Sequence, residues 1–126
     1  NKNVFVEKPL CLSLDESYEI KKISNQVNKI VFVGHLLQYH NAFNELKKIV
    51  HSGKIGNLKI IKSNRLNFGS IRNKESVLYD LTSHDISMIL SITKKLPKKI
   101  DVNAIFKNSN EIADYINVIL FLMKIF

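Results

Sequence analysis

The stretch Val4-Phe5-Val6-Glu7-Lys8-Pro9-Leu10, read with Ser13-Leu14-Asp15-Glu16 and Ile30-Val31-Phe32-Val33-Gly34 behind it, decides the fold of this 126-residue chain. Val4 to Val6 is a short apolar run of the kind a buried parallel strand gives, and Pro9 ends it because proline cannot donate to a ladder. Ser13 followed three residues later by Glu16 is a capping box. Leu14, Tyr18, Ile20, Ile23 and Val27 then fall near helical spacing, so a helix is expected over 14–28. The second apolar run, Ile30 to Val33, stops at Gly34. Strand, helix, strand in this order is a βαβ unit, which calls for a parallel sheet and a right-handed crossover. Glu7-Lys8-Pro9 thereby lies at the carboxyl end of the first strand, where open α/β sheets bind ligands.

Beyond Gly34 the pattern changes. From Asn41 the period is helical, with Phe43, Leu46, Ile49 and Val50 on one face and Gly53 placed as the C′ residue. Leu58, Ile60 and Leu66 mark a partly alternating strand, and the polar stretch 67–76 reads as a loop. Asp80 to Thr93 reads as a further helix, with Leu81, Ile86, Ile89 and Leu90 near one stripe and Thr82 or Ser83 available as its cap. Ile100, Val102, Ala104 and Phe106 alternate, as do Ala113, Tyr115, Asn117, Ile119 and Phe121, so two half-buried antiparallel strands joined by a polar turn at 107–110 are expected. The shift from parallel-type strands to helix plus antiparallel strands falls at Gly34 to His40. It divides the chain into 1–36, the end of one domain, and 37–126, the beginning of another. Both ends read as cuts, because the chain enters a strand within three residues and closes on Leu120-Phe121-Leu122-Met123-Lys124-Ile125-Phe126.

Composition limits the function classes. Nineteen Lys and Arg against 11 Asp and Glu give a formal charge of +8, which taken alone resembles a nucleic-acid footprint. Seventeen of those 19 are Lys and only Arg65 and Arg72 are Arg, while Asn (14) and Ile (17) are equally inflated. Lys, Asn and Ile share AT-rich codons, so the charge is a codon bias and no nucleic-acid partner is expected. No stretch reaches the roughly 18 apolar residues of a membrane span, and the N-terminus lacks the pattern of a secretory signal. A cytoplasmic location and no membrane partner follow as expectations. Cys11, between Leu10 and Leu12, reads as a small buried hydrophobe.

Few residues can carry chemistry. His84 lies four residues after Asp80 with Asp85 beside it. On a helix the (i, i+4) pair shares a face, and a carboxylate on one ring nitrogen leaves the other to exchange a proton with a hydroxyl. His51 sits in a helix's last turn, where it meets the negative end of the dipole. His35 follows a strand end and His40 precedes a helix, each open to a structural or a functional role. No metal site is expected, since His35 and His40 are a loose pair without a third ligand. Gly34, Gly53, Gly56 and Gly69 build no G-x-G-x-x-G and no P-loop. Lys8 is the sharpest local signal, an ammonium at a sheet's ligand edge that can hydrogen-bond a substrate oxygen.

Taken in order, Glu7-Lys8-Pro9, the Ser13-Leu14-Asp15-Glu16 helix start, Val33-Gly34-His35, Phe43 to Leu46, Ser52-Gly53-Lys54-Ile55-Gly56 and Asp80-Leu81-Thr82-Ser83-His84-Asp85-Ile86 resemble the Gfo/Idh/MocA oxidoreductases over nearly the whole chain, in look closest to the branch that oxidises nucleotide-linked N-acetylated sugars, such as UDP-N-acetylglucosamine, at C3. The resemblance implies an NAD(P)-dependent dehydrogenase: an α/β chain holding the last part of a Rossmann-type parallel sheet, followed by the start of an α+β domain whose open antiparallel sheet forms the contact of a homo-oligomer. It implies cofactor contacts from Glu7, Lys8, Pro9, His35 and Gln38, with a cis bond before Pro9, and Gln38 standing where relatives often carry Arg. Lys8 and His84 would act on a sugar or sugar-nucleotide substrate, with Asp80 orienting His84. Arg65 and Arg72 are placed by position and charge as substrate contacts. With the glycine fingerprint outside it, the chain alone would be inactive and would bind NAD or NADP weakly. The reading from another class is a non-catalytic interaction module pairing through an exposed sheet edge.

Overall fold

In a computed structural model, which describes residues 2–66, 76–106 and 112–122, the chain divides into two compact units, Asn1–Leu36 and Leu37–Phe126. The first is the βαβ unit. Strand β1 (Val4–Glu7) pairs in parallel with β2 (Val31–Gly34) in the register Val4↔Val31, Phe5↔Phe32, Val6↔Val33, Glu7↔Gly34. Helix α1 (Leu14–Gln26) connects them. Its capping box is present: the Glu16 amide donates to Ser13 Oγ at 3.2 Å, and the Ser13 and Leu12 amides donate to Glu16 Oε2 at 3.2 Å each. These bonds satisfy donors that the helix itself leaves open. Phe5 and Phe32, neighbours across the pair, stack with centroids 5.3 Å apart.

A 3-10 turn at Leu36–Tyr39 spans the boundary and leads into helix α2 (Asn41–His51) of the second unit. His40 is the N-cap of α2, its Nδ1 accepting from the Ala42 amide at 3.2 Å, which gives this histidine a structural task. After the C-cap Ser52, Gly53 takes φ 73°, the left-handed conformation expected of a C′ residue. A wide π turn at Leu78–Thr82 runs into helix α3 (Ser83–Thr93). Phe43 of α2 and Ile92 of α3 are buried. The two helices are joined by His51, whose Nε2 lies 2.8 Å from the Ile92 carbonyl oxygen. Strands β3 (Lys99–Ile105) and β4 (Tyr115–Phe121) form an antiparallel pair. The Val77 amide donates to the Ala113 carbonyl at 3.4 Å and so ties the approach of β4 to the start of the π turn.

Three expectations are corrected. Residues 57–66 form no strand: Ile60 and Leu66 are exposed, and no neighbour supplies a ladder among the described residues. Neither Thr82 nor Ser83 caps α3, because the chain enters it already coiled. The Thr82 hydroxyl donates back to the Val77 carbonyl at 3.2 Å and that of Ser83 to the Tyr79 carbonyl at 2.9 Å. Finally, Tyr115, Asn117, Ile119 and Phe121 form the more exposed face of β4, and Ile116, Val118 and Leu120 the half-buried one. The register sets Ile100 opposite Leu120, Val102 opposite Val118 and Ala104 opposite Ile116. Directly opposed residues share a face, so these six make a wholly apolar surface. Both faces of β4 are apolar enough that alternation alone does not say which turns inward. All but residue 76 of the loop expected over 67–76, and the polar turn expected at 107–110, lie outside the described residues.

Candidate functional site

The first unit gathers Glu7, Lys8, Pro9 and His35 at the carboxyl ends of its two strands. Glu7 is the last residue of β1 and pairs with Gly34, the last of β2, while Lys8 and His35 follow directly. Lys8 and His35 are half-buried and Glu7 is exposed. The Lys8–Pro9 peptide is cis, the geometry the resemblance implies. Gly34 is buried, and a Cβ there would come within 3.0 Å of Glu7 Oε2 and 3.2 Å of Phe5 Cζ. The glycine is thus a floor across which the Glu7 carboxylate lies, and a larger residue would push that carboxylate aside. The His35 amide donates to the Val33 carbonyl at 2.8 Å, turning the chain sharply out of β2 at this edge.

In the second unit, Asp80 belongs to the π turn and His84 to the first turn of α3, so their (i, i+4) spacing straddles a change of helical pitch. Both are half-buried, and His84 Nδ1 is itself a buried atom. A π turn inside a helix is uncommon and recurs at functional sites. Arg65 donates through Nε to Asp85 Oδ2 at 2.8 Å, the two side chains being 33% and 14% exposed. The sequence reading placed Arg65 on a substrate; the structure shows its guanidinium committed on one edge to the residue next to His84. Nothing in the spacing announces that pair, which joins positions 20 residues apart across the loop. Gln38 lies half-buried in the 3-10 turn after β2. Arg72 lies outside the described residues.

A nicotinamide dinucleotide is the group to test against these residues. The glycine floor at Gly34 under a carboxylate, with an ammonium one residue on, gives a polar, side-chain-free edge that suits the nicotinamide and ribose end. The pyrophosphate end has no counterpart, since the sequence holds no glycine fingerprint. Among the described residues, no group of three or more His, Cys, Asp or Glu side chains could hold a metal ion, and no helix is long and apolar enough to cross a membrane.

A parallel strand pair followed by a helical and antiparallel unit is a mixed α/β arrangement shared with solved structures described as oxidoreductases. The structure superimposes on that of a Bacillus subtilis protein, yvaA, described as an oxidoreductase, with TM-score 0.74 and 25% identity, covering 96% of this chain and 36% of the other. A Klebsiella pneumoniae structure matches with TM-score 0.75 at 24% identity over 95% of this chain and 34% of the other, and shows the fold alone. In sequence the chain is 26% identical over 129 aligned residues to scyllo-inositol 2-dehydrogenase (NADP(+)) IolW of Bacillus subtilis, covering 94% of this chain and 36% of that enzyme. It is 28% identical over 92 residues to myo-inositol 2-dehydrogenase of Thermotoga maritima, covering 69% of this chain and 28% of that enzyme. No protein-family profile matches the chain. The chain therefore spans about a third of the length of these relatives.

Proposed function

We propose that this chain is part of an NAD(P)-dependent dehydrogenase of the Gfo/Idh/MocA type, working in the cytoplasm on a secondary ring hydroxyl of a sugar, sugar nucleotide or cyclitol. The observation that carries the reading is Lys8, half-buried at the carboxyl end of β1 beside the glycine floor of β2. The likeness over nearly the whole chain to a scyllo-inositol dehydrogenase supports it. A bound nicotinamide would supply the hydride acceptor. Lys8 donates an ammonium hydrogen to the substrate oxygen or the cofactor ribose, holding the reacting carbon in place. Glu7, lying over Gly34, and His35 hold the nicotinamide side. His84 takes the hydroxyl proton on its imidazole as the carbonyl forms, and Asp80 orients the ring. NAD against NADP is set by residues around the 2′-oxygen of the adenosine ribose, which these elements do not include.

Two named inositol dehydrogenases among the relatives favour an unsubstituted polyol ring; oxidation at C3 of a UDP-N-acetylated sugar is the narrower alternative. The polypeptide of relatives' length carrying this segment, assayed against inositols, aldoses and UDP-sugars with each cofactor, is expected to reduce NAD or NADP with at least one ring polyol. Reduction with none of them, under conditions where the protein binds cofactor, contradicts the proposal. The apolar face of β3 and β4 also favours an association role for this sheet, packing against a second copy in a homo-oligomer.

A further inference from the structure

We infer that Arg65 and Asp85 form a positioning pair that sets the rotation of the first turn of α3, and with it the direction of His84. The inference rests on the proton-accepting role proposed for His84. Three observations carry it. The entry to α3 is loosely defined: no side chain caps it, its preceding turn is π rather than α, and the Thr82 and Ser83 hydroxyls bond back to Val77 and Tyr79 rather than closing the helix end. Second, a contact that reaches this turn from outside is the Arg65 Nε to Asp85 Oδ2 bond at 2.8 Å, with the Asp85 side chain only 14% exposed. Third, consecutive helical residues project about 100° apart, so Asp85 grips the helix from a different side than His84.

The charges suit the place. A carboxylate in a helix's first turn meets the positive end of the dipole, and a guanidinium donating through Nε offers an edge that a lysine ammonium cannot copy. Arg65 thereby acts on the chemistry through α3 rather than through substrate.

The test needs neither substrate nor cofactor. The 126-residue chain, labelled with 15N in its histidines, is compared with Arg65→Met, Arg65→Lys, Asp85→Asn and the double variant Arg65→Met/Asp85→Asn by ring-nitrogen NMR and amide hydrogen exchange. The expected result is that each single variant draws the two His84 ring-nitrogen signals toward one another and speeds exchange in the first turn of α3 about tenfold. Arg65→Lys restores little, the double variant is no worse than either single one, and His40 and His51 signals stay in place. If Arg65→Met shifts all the histidines together, it has unfolded, and the near-isosteric Asp85→Asn decides. His84 signals indifferent to Asp85→Asn, or effects that add in the double variant, overturn the pair. A failed hydride-transfer assay would remove the role given to His84 and leave this result standing.

Discussion

His51 does more than answer the dipole of its own helix. It closes α2, and its Nε2 reaches the Ile92 carbonyl at 2.8 Å, one of the last-turn acceptors that α3 cannot satisfy internally. The C-terminal ends of two helices thus share one imidazole. His51→Ala is expected to cost about 1–2 kcal/mol, read as a lower urea midpoint; an unchanged midpoint would mean the bond is replaced by water without loss. Gly34 is the second residue whose close neighbours bear on what can stand there. A β-branched side chain would meet Glu7 Oε2 and Phe5 Cζ, so Gly34→Val is expected to lose about 1–3 kcal/mol by overpacking; equal stability would show that the Glu7 carboxylate does not lie over the glycine. Glu7, Lys8 and Pro9 were legible because a strand, its ligand edge and a proline stop are all local signals. The Arg65–Asp85 pair is not legible for the opposite reason. An exposed-looking arginine in a polar segment carries no mark of a partner 20 residues on, and only the fold shows which charge it meets.

Elements built on local rules came through the sequence almost intact. The capping box of α1, the parallel register and the glycine that ends α2 are each decided within a few residues by hydrogen-bond supply or backbone sterics. Ser13→Ala is therefore expected to cost about 1 kcal/mol, and Gly53→Ala, at φ 73°, about 1–2 kcal/mol. Both are measured by denaturant unfolding, and a loss confined to neither would contradict the local account. Elements that depend on a partner were less legible. The alternation around Ile60 predicts a strand, yet a strand exists only where another backbone accepts its bonds. For β4, Tyr115, Ile119 and Phe121 compete with Ile116, Val118 and Leu120 for the inner face, and the register with β3 separates them. The π turn was hidden for a similar reason, since Asp80 to His84 fits an α-helical template just as well.

On the scale of the molecule, the βαβ unit presents Lys8 at a strand edge and the second unit carries His84 in the first turn of α3; the proposed function assigns each a share of one chemistry. With no G-x-G-x-x-G in its 126 residues, the chain itself is expected to bind NAD or NADP with Kd weaker than about 1 mM. Tight stoichiometric binding in calorimetry would show that another part of the chain cradles the pyrophosphate. The positive charge that first suggested nucleic acid is mostly lysine spread along the sequence, and the relatives are oxidoreductases. The central claim is that Lys8 and His84 carry hydride-transfer chemistry, and single-turnover reduction of nicotinamide by the polypeptide of relatives' length tests it most directly. Lys8→Ala and His84→Ala are each expected to slow that step by about 100-fold or more with folding intact. A rate within about twofold of the unaltered protein in either variant would contradict the role assigned to that residue.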